Sequence, residues 1–161
     1  MRKIRNPFTG LKGYNCFGCS PDNPLGLKMT FYEDGDELLS VWHPESHFQG
    51  YLNILHGGIL ATLMDEIASW TVYVKHKAAG VTSKMEIRFL KAVFADKGQL
   101  TIRSRIVHTR RNLIDMNVRL FDNEGQLCSE AMVTYFTYSE KKSRESLYYP
   151  DHSAFFEDHG N

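Results

Sequence analysis

The chain has 161 residues, of which 42% are hydrophobic, and its 19 Lys and Arg residues balance its 19 Asp and Glu residues. This length suits one domain with a substantial hydrophobic core. The net charge of +0 provides no overall attraction to nucleic acid or to an anionic membrane. Because no apolar run reaches the roughly 18–20 residues that span a bilayer, we expect a domain that binds neither nucleic acid nor membrane.

The start of the chain and its cysteines predict a cytoplasmic protein. The opening residues, MRKIRNPFTGLKG, lack the apolar middle of a signal peptide, and three cysteines without a secretion signal are typical of reduced thiols. Cys16-x-x-Cys19 has the spacing of half a zinc site, but neither a second CxxC nor a nearby HxxxH accompanies it. A turn with two thiols is the simpler interpretation, and no metal is expected.

Residues 1–26 are rich in Gly, Pro, Asn and Cys and are predicted to form an irregular lead-in. The main domain is expected over residues 27–139. It opens with a hairpin, because Leu27, Met29 and Phe31 alternate with polar residues and Asp34-Gly35 has the composition of a tight turn.

The segment Ile54–His76 is the predicted central helix. Apolar residues recur there at helical spacing. They are Leu60, Leu63, Met64, Ile67, Ala68, Thr71 and Val74. The opposite side is also largely apolar, and a helix that is apolar nearly all round is an interior helix.

Beyond Gly80 the pattern changes to alternation, which predicts about four strands joined by short turns. Short connections favour antiparallel neighbours, and the long apolar helix is the natural cover for one face of such a sheet. We therefore predict an α+β fold in which a curved antiparallel sheet wraps around one central helix. Residues 140–161 are predicted to be a polar tail, either disordered or packed across a neighbouring subunit.

The start of the helix, His56-Gly57-Gly58, is a candidate anion site. The first turn of a helix has unpaired N–H groups and a partly positive end, and glycines let a ligand approach the backbone closely. Two such N–H groups can hold the oxyanion that forms when a carbonyl is attacked. The alternative is that Gly57-Gly58 only permits a tight turn and that His56 is a structural hydrogen-bonding residue.

Asp65 lies in the middle of this apolar helix without a Lys or Arg three or four positions away. Burial of an unpaired carboxylate costs free energy, and a role as a general base or nucleophile would explain why it is there. Eight residues at about 1.5 Å each place Gly57 and Asp65 roughly 12 Å apart, too far to act on one carbonyl. Two copies with antiparallel helices can combine them, so this hypothesis requires a dimer. Glu66 is interpreted as a surface or interface residue.

The segments LHGGILATLMDE and VTSKMEIRFLKAV, with the lead-in NCFGCSPDNPLGLKMTF, resemble the hotdog-fold acyl-CoA thioesterases of the phenylacetate-degradation type. The resemblance extends from about Gly26 to Tyr138. It implies a helix-in-sheet fold, a homodimer or a homotetramer with sites at the subunit interface, and hydrolysis of acyl-CoA thioesters without a metal or other cofactor.

The resemblance also implies roles for single residues. It assigns the oxyanion donor to Gly57, a place beside the thioester to His56, and the base or nucleophile to Asp65. Thr82, or Ser83 if the register differs by one, matches a hydroxyl that positions the carboxylate or the water. The resemblance also implies an Asn or Gln in the loop before the helix; Gln49 and Asn53 are both available, and we assign the catalytic role to Gln49. Gly58, Ser83 and Asn53 are the expected substrate-binding residues.

Two alternative functions follow from the same fold. The first is a module that binds acyl-CoA or a lipid without hydrolysing it, for which Asp65 has no use. The second is a hydratase acting on enoyl thioesters, which needs an acid–base pair over Cα and Cβ, whereas the His56-Gly57-Gly58 arrangement is directed at a carbonyl.

Overall fold

The structure, a computed structural model, describes residues 1–156. Its elements within that range are seven β-strands and two α-helices. In chain order they are β1 (Arg2–Ile4), β2 (Phe31–Asp34), β3 (Glu37–Trp42), α1 (Gly57–Thr71), β4 (Gly80–Phe89), β5 (Leu100–Arg110), β6 (Leu113–Phe121), β7 (Leu127–Thr137) and α2 (Glu140–Leu147).

The strands form one curved antiparallel sheet in the order β1-β2-β3-β5-β6-β7-β4. Two tight connections explain why neighbours are antiparallel: Gly35 and Arg111 have positive φ angles of 63° and 54° in the turns after β2 and β5. The strands predicted beyond Gly80 are confirmed as β4 to β7, and the predicted hairpin is confirmed as β2 and β3. The hairpin strand starts at Phe31, later than the alternation suggests.

Helix α1 packs on the inner face of the sheet and supplies the centre of the core. Leu63, Met64 and Ile67 have no exposed surface, and the ring of Trp70 stacks on Phe31 with centroids 4.5 Å apart. Each such fully buried side chain contributes roughly 1.5–3 kcal/mol relative to an exposed one. The α-helical part ends at Thr71 and continues as a π-helical turn, Val72–His76. Neither helix of the described chain has the length and apolar character needed to cross a membrane.

The lead-in and the tail contain more structure than their composition indicates. Strand β1 extends the sheet from the lead-in, and its neighbour Arg5 donates its N–H to the carbonyl of Phe155 at 2.8 Å. The tail contains α2 and then Phe155, which is fully buried and packs edge-on against Trp70 at 5.9 Å. As far as residue 156, therefore, the tail packs on its own domain; residues 157–161 lie outside the described residues.

Candidate active site

Asp65 lies on the face of α1 that looks toward β4 and β7, where two hydroxyl groups hold its carboxylate. Thr82 Oγ1 donates to Asp65 Oδ1 at 2.8 Å, and the Tyr135 hydroxyl donates to the same oxygen at 3.0 Å. Thr82 and Tyr135 are paired across β4 and β7, and their hydroxyl oxygens are 3.1 Å apart. Two strands and one helix thus fix the orientation of a single carboxylate.

The second carboxylate oxygen, Asp65 Oδ2, accepts no hydrogen bond from residues 1–156. Burial, together with the adjacent charge of Asp65, raises the pKa of the Tyr135 hydroxyl well above its usual value. Tyr135 therefore remains protonated and stays a donor to Oδ1. This leaves Oδ2 as the oxygen that can accept a proton from a water molecule or attack a carbonyl.

The helix start is held by His56. Its ring Nδ1 accepts the N–H of Gly58 at 2.8 Å, and its carbonyl accepts from Ile59 and Leu60. Because Nδ1 is the acceptor, the neutral ring carries its proton on Nε2. The Gly57 N–H, in contrast, has no acceptor in the described part of the chain. Of the two glycine N–H groups, that of Gly57 is therefore the one available to an oxyanion.

Clefts lie on both sides of this helix start. An apolar cleft of about 240 Å³ is lined by Gly57, Leu60, Phe89 and their neighbours on the segment after β4. A second cleft, of about 320 Å³, is lined by His47, Phe48, Gln49, His56, Gly58 and Ile59. Gln49 and His56 therefore line the same cleft beside the first turn of α1.

Gln49 and Asn53 have different positions in the loop before α1. The Gln49 Oε1 atom accepts the N–H of Asn53 at 2.7 Å, so the Gln49 side chain supports the turn. Asn53 has a positive φ of 62°, and its carbonyl accepts from Ala95. Gln49 lines the cleft at the helix start, whereas Asn53 forms the turn behind it.

Ser83 lies at a β-bulge, where the pairing of β4 with β7 shifts between Thr82 and Lys84. The bulge adds one residue, so Thr82 and Met85 both face α1 although three positions separate them. In the described residues the hydroxyl that contacts Asp65 belongs to Thr82, and Ser83 does not contact it.

Tyr135 is the site residue that the sequence analysis missed. It lies 70 positions beyond Asp65 in a run of Val, Thr, Tyr and Phe that predicts only a strand. The available signal was the two-residue period of the strand. Ala131, Val133 and Tyr135 all face the buried side, so the Tyr135 hydroxyl is a polar group that faces the helix.

Glu66 was predicted to be at the surface or in an interface, and that prediction is wrong. Its carboxylate is mostly buried, with Trp70 Nε1 donating to Oε1 at 3.1 Å and the Cys16 thiol 3.5 Å away. Burial and the neighbouring Cys16 raise the pKa of Glu66 to about 7. The reason is that the lead-in covers this side of α1.

The fold and the site were compared with known proteins. Residues 52–129 match the family model of the Thioesterase superfamily. The protein named "Putative esterase SSO1253" from Saccharolobus solfataricus is 30% identical over 95 residues, which is 58% of this chain and 62% of the relative. The matched region thus spans less than two thirds of that relative.

Solved structures show the same fold. A hypothetical thioesterase with coenzyme A from Streptococcus pneumoniae superposes with a TM-score of 0.64 at 28% identity, covering 69% of this chain and 86% of that one. A Streptococcus mutans protein bound to acetyl CoA gives a TM-score of 0.65 at 21% identity, covering 81% and 97%. The sheet wrapped around α1 is therefore a hotdog fold, as predicted. Residues 52–129, slightly less than half of the chain, are similar to the thioesterase superfamily.

Proposed function

We propose that the protein is an acyl-CoA thioesterase of the phenylacetate-degradation type that hydrolyses its substrate to a free acid and CoA. The observation that carries this proposal is the Asp65 carboxylate, held through Oδ1 by Thr82 and Tyr135 with Oδ2 left free. The match of residues 52–129 to the Thioesterase superfamily supports the reaction class, and the coenzyme A in the Streptococcus pneumoniae structure supports the CoA moiety.

The reaction begins with a water molecule beside Asp65 Oδ2. The carboxylate takes one proton from this water, the oxygen forms a bond to the thioester carbonyl carbon, and the carbonyl oxygen becomes an oxyanion. The Gly57 N–H at the positive end of a helix stabilises that oxyanion. The C–S bond then breaks, and the proton held by Asp65 passes to the departing thiolate.

The site is composite, and strand β4 explains how two copies form it. β4 lies at the end of the sheet and pairs only with β7 among the described strands, which leaves its other edge open. Long open edges with apolar side chains are ready to pair with another chain. Phe89 on β4 is 53% exposed and Val81 is 45% exposed, consistent with an interface there.

Antiparallel pairing of two β4 edges brings the required groups together. Asp65 lies next to Thr82 near the start of β4, and the space above Gly57 is bounded by Phe89 at its end. Pairing two copies of β4 in opposite directions places the end of one strand beside the start of the other. The Gly57 N–H of one subunit then faces Asp65 of the partner subunit.

The test is thiol release from a panel of acyl-CoA substrates, short, long and aromatic, by the protein and by its Asp65→Asn variant. We expect turnover of at least one substrate, and a fall in kcat on the order of 10²–10⁴-fold in the variant, with an unchanged melting temperature. Water addition to crotonyl-CoA is measured in parallel. Hydration without thiol release, or unchanged hydrolysis by Asp65→Asn, would contradict the proposal.

A further inference from the structure

A second cluster of reactive side chains lies on a different face of α1, at Glu66, the residue that follows Asp65. The ligand atoms of Cys16, Cys19 and Glu66 all lie within 4.8 Å of one another, and Cys16 Sγ is 3.5 Å from Glu66 Oε1. Neither thiol is in a disulfide. We propose that these three side chains bind a zinc ion, which connects the lead-in to the helix that carries Asp65.

One separation within the cluster matches tetrahedral zinc. Zinc lies about 2.3 Å from cysteine sulfur and about 2.0–2.2 Å from carboxylate oxygen, so a tetrahedral angle separates such ligand atoms by about 3.6 Å. The observed separation of Cys16 Sγ and Glu66 Oε1 is 3.5 Å. Two sulfur ligands favour zinc over magnesium or calcium, which prefer oxygen alone.

The loop that carries the two cysteines is shaped to present sulfur as a ligand. Ser20 donates its N–H to the Cys16 carbonyl at 3.1 Å, and the sulfur atoms of Cys16 and Cys19 lie within 4.8 Å of each other. Thiolate sulfur is the form that binds metal. The turn thus presents both thiols to one point.

Gly18 lets this loop approach Glu66. A Cβ atom at position 18 would lie 2.4 Å from both Glu66 Cδ and Oε2, closer than atoms can approach, so a side chain there would displace the carboxylate. No Lys or Arg of the described residues forms an ion pair with Glu66. A metal cation would compensate this mostly buried carboxylate.

The surroundings of the cluster supply outer contacts to its ligand atoms. The Tyr14 hydroxyl lies 3.0 Å from Cys19 Sγ, and Trp70 Nε1 donates to Glu66 Oε1. Such contacts orient ligands in metal sites. Cys19 and Trp70 also line a cavity of about 240 Å³ that extends toward β1. A water molecule can take the fourth coordination position of a zinc ion that has three protein ligands.

The experiment is a titration of chelator-treated, reduced protein with Zn²⁺ and, separately, with Co²⁺, followed by absorption and by thermal unfolding. We expect one ion per chain, the intense visible bands of tetrahedral cobalt–thiolate coordination, and a higher melting temperature with metal. Cys16→Ser and Cys19→Ser should abolish binding, and Tyr14→Phe should weaken it about 10–100-fold. Cys128→Ser is the control, because Cys128 is a buried thiol elsewhere.

Three results would overturn the proposal. The first is the absence of stoichiometric metal binding to the reduced protein. If such a protein instead joins Cys16 to Cys19 on mild oxidation, the pair is a redox dithiol and not a metal site. The second is binding that survives Cys16→Ser. The third is a Glu66→Gln variant that binds Zn²⁺ as tightly as the wild type. Because these measurements do not use hydrolysis, they are independent of the proposed activity.

Discussion

Asp65, the proposed base, shows how much the orientation of a side chain depends on its neighbours. A helix supplies the carboxylate, while β4 and β7 supply the two hydroxyls that direct both hydrogen bonds to Oδ1. The carboxylate itself could be predicted, because an acid without a basic partner is unusual in a nearly all-apolar helix. For Tyr135 the alternation of its strand predicts only that the ring is on the buried face. Nothing local indicates that its hydroxyl contacts Asp65, 70 positions away.

Replacing Tyr135 tests whether this hydrogen bond positions the carboxylate. Tyr135→Phe removes one hydroxyl and preserves the buried ring. A hydrogen bond to a charged group is worth about 1.5–3 kcal/mol, so we expect kcat to fall roughly 10–100-fold with a smaller change in KM. Tyr138→Phe is the control, because no hydrogen bond of that hydroxyl is found in the described residues. Equal activity of the two variants would show that the contact is not needed.

Gly57 allows its N–H to be removed with little disturbance of the helix. Proline is tolerated at the first helical position, and His56 already has the extended φ and ψ of −63° and 134° that suit a residue before proline. We expect Gly57→Pro to lower kcat on the order of 10²–10³-fold, as loss of an oxyanion donor does. Steady-state kinetics and thermal unfolding of the same preparation measure this.

Gly57→Ala is the matched control for that variant. It retains the N–H, and its added Cβ would lie 3.7 Å from Phe89, an ordinary contact. Its kcat should therefore remain close to that of the wild type. If Gly57→Pro is as active as Gly57→Ala, the Gly57 N–H is not the oxyanion donor.

At the scale of elements, the sequence predicts those helices and strands that are long enough to show a periodic pattern of apolar residues. Helix α1 and the strands β4 to β7 follow from spacings of 3.6 and 2 residues. Strand β1 is three residues long and carries no period, so its addition to the sheet was missed. The approach of Cys16 to Glu66, 50 positions away, was missed for a related reason. Contacts across such separations leave no local pattern in the chain.

Glu33 is an ion pair hub that connects three elements. Lys75 from the π-helical turn lies 2.7 Å from Glu33 Oε1, and Arg2 of β1 lies 2.6 Å from Oε2. Burial acts to raise the pKa of Glu33, but the hydrogen bonds from Lys75 and Arg2 outweigh it and lower the pKa below 4.5. The stabilisation is therefore present above about pH 4.5 and is lost as the pH falls through the folded-state pKa.

The prediction concerns the difference in free energy of unfolding between the wild type and Glu33→Gln. It should be larger at pH 7 than near pH 3, with a pH-dependent part of at most about 1 kcal/mol because the groups are partly solvated. Denaturant unfolding at the two pH values measures it. Asp36→Asn, at an acid that forms no ion pair within residues 1–156, should show a smaller pH dependence. Equal dependence for both variants would exclude the proposed role of the pair.

At the scale of the molecule, one chain is an incomplete site for the proposed reaction. It brings Asp65, Thr82 and Tyr135 together, but Gly57 lies eight residues earlier on the same helix, roughly 12 Å away. If Gly57 and Asp65 act on one carbonyl, as we propose, this distance requires a second copy, and the sequence analysis predicted a dimer for the same reason. The structure adds the open β4 edge as the place where that copy can pair.

Subunit complementation tests this central claim directly. Asp65→Asn and Gly57→Pro each inactivate both sites of their own homodimer. In a mixed dimer, one site combines the native Gly57 of the first variant with the native Asp65 of the second and is complete. Random mixing, through co-expression or refolding together, makes half of the dimers mixed and should restore about a quarter of wild-type thiol release. Activity no higher than that of the separate variants would show that Gly57 and Asp65 do not act across a subunit interface.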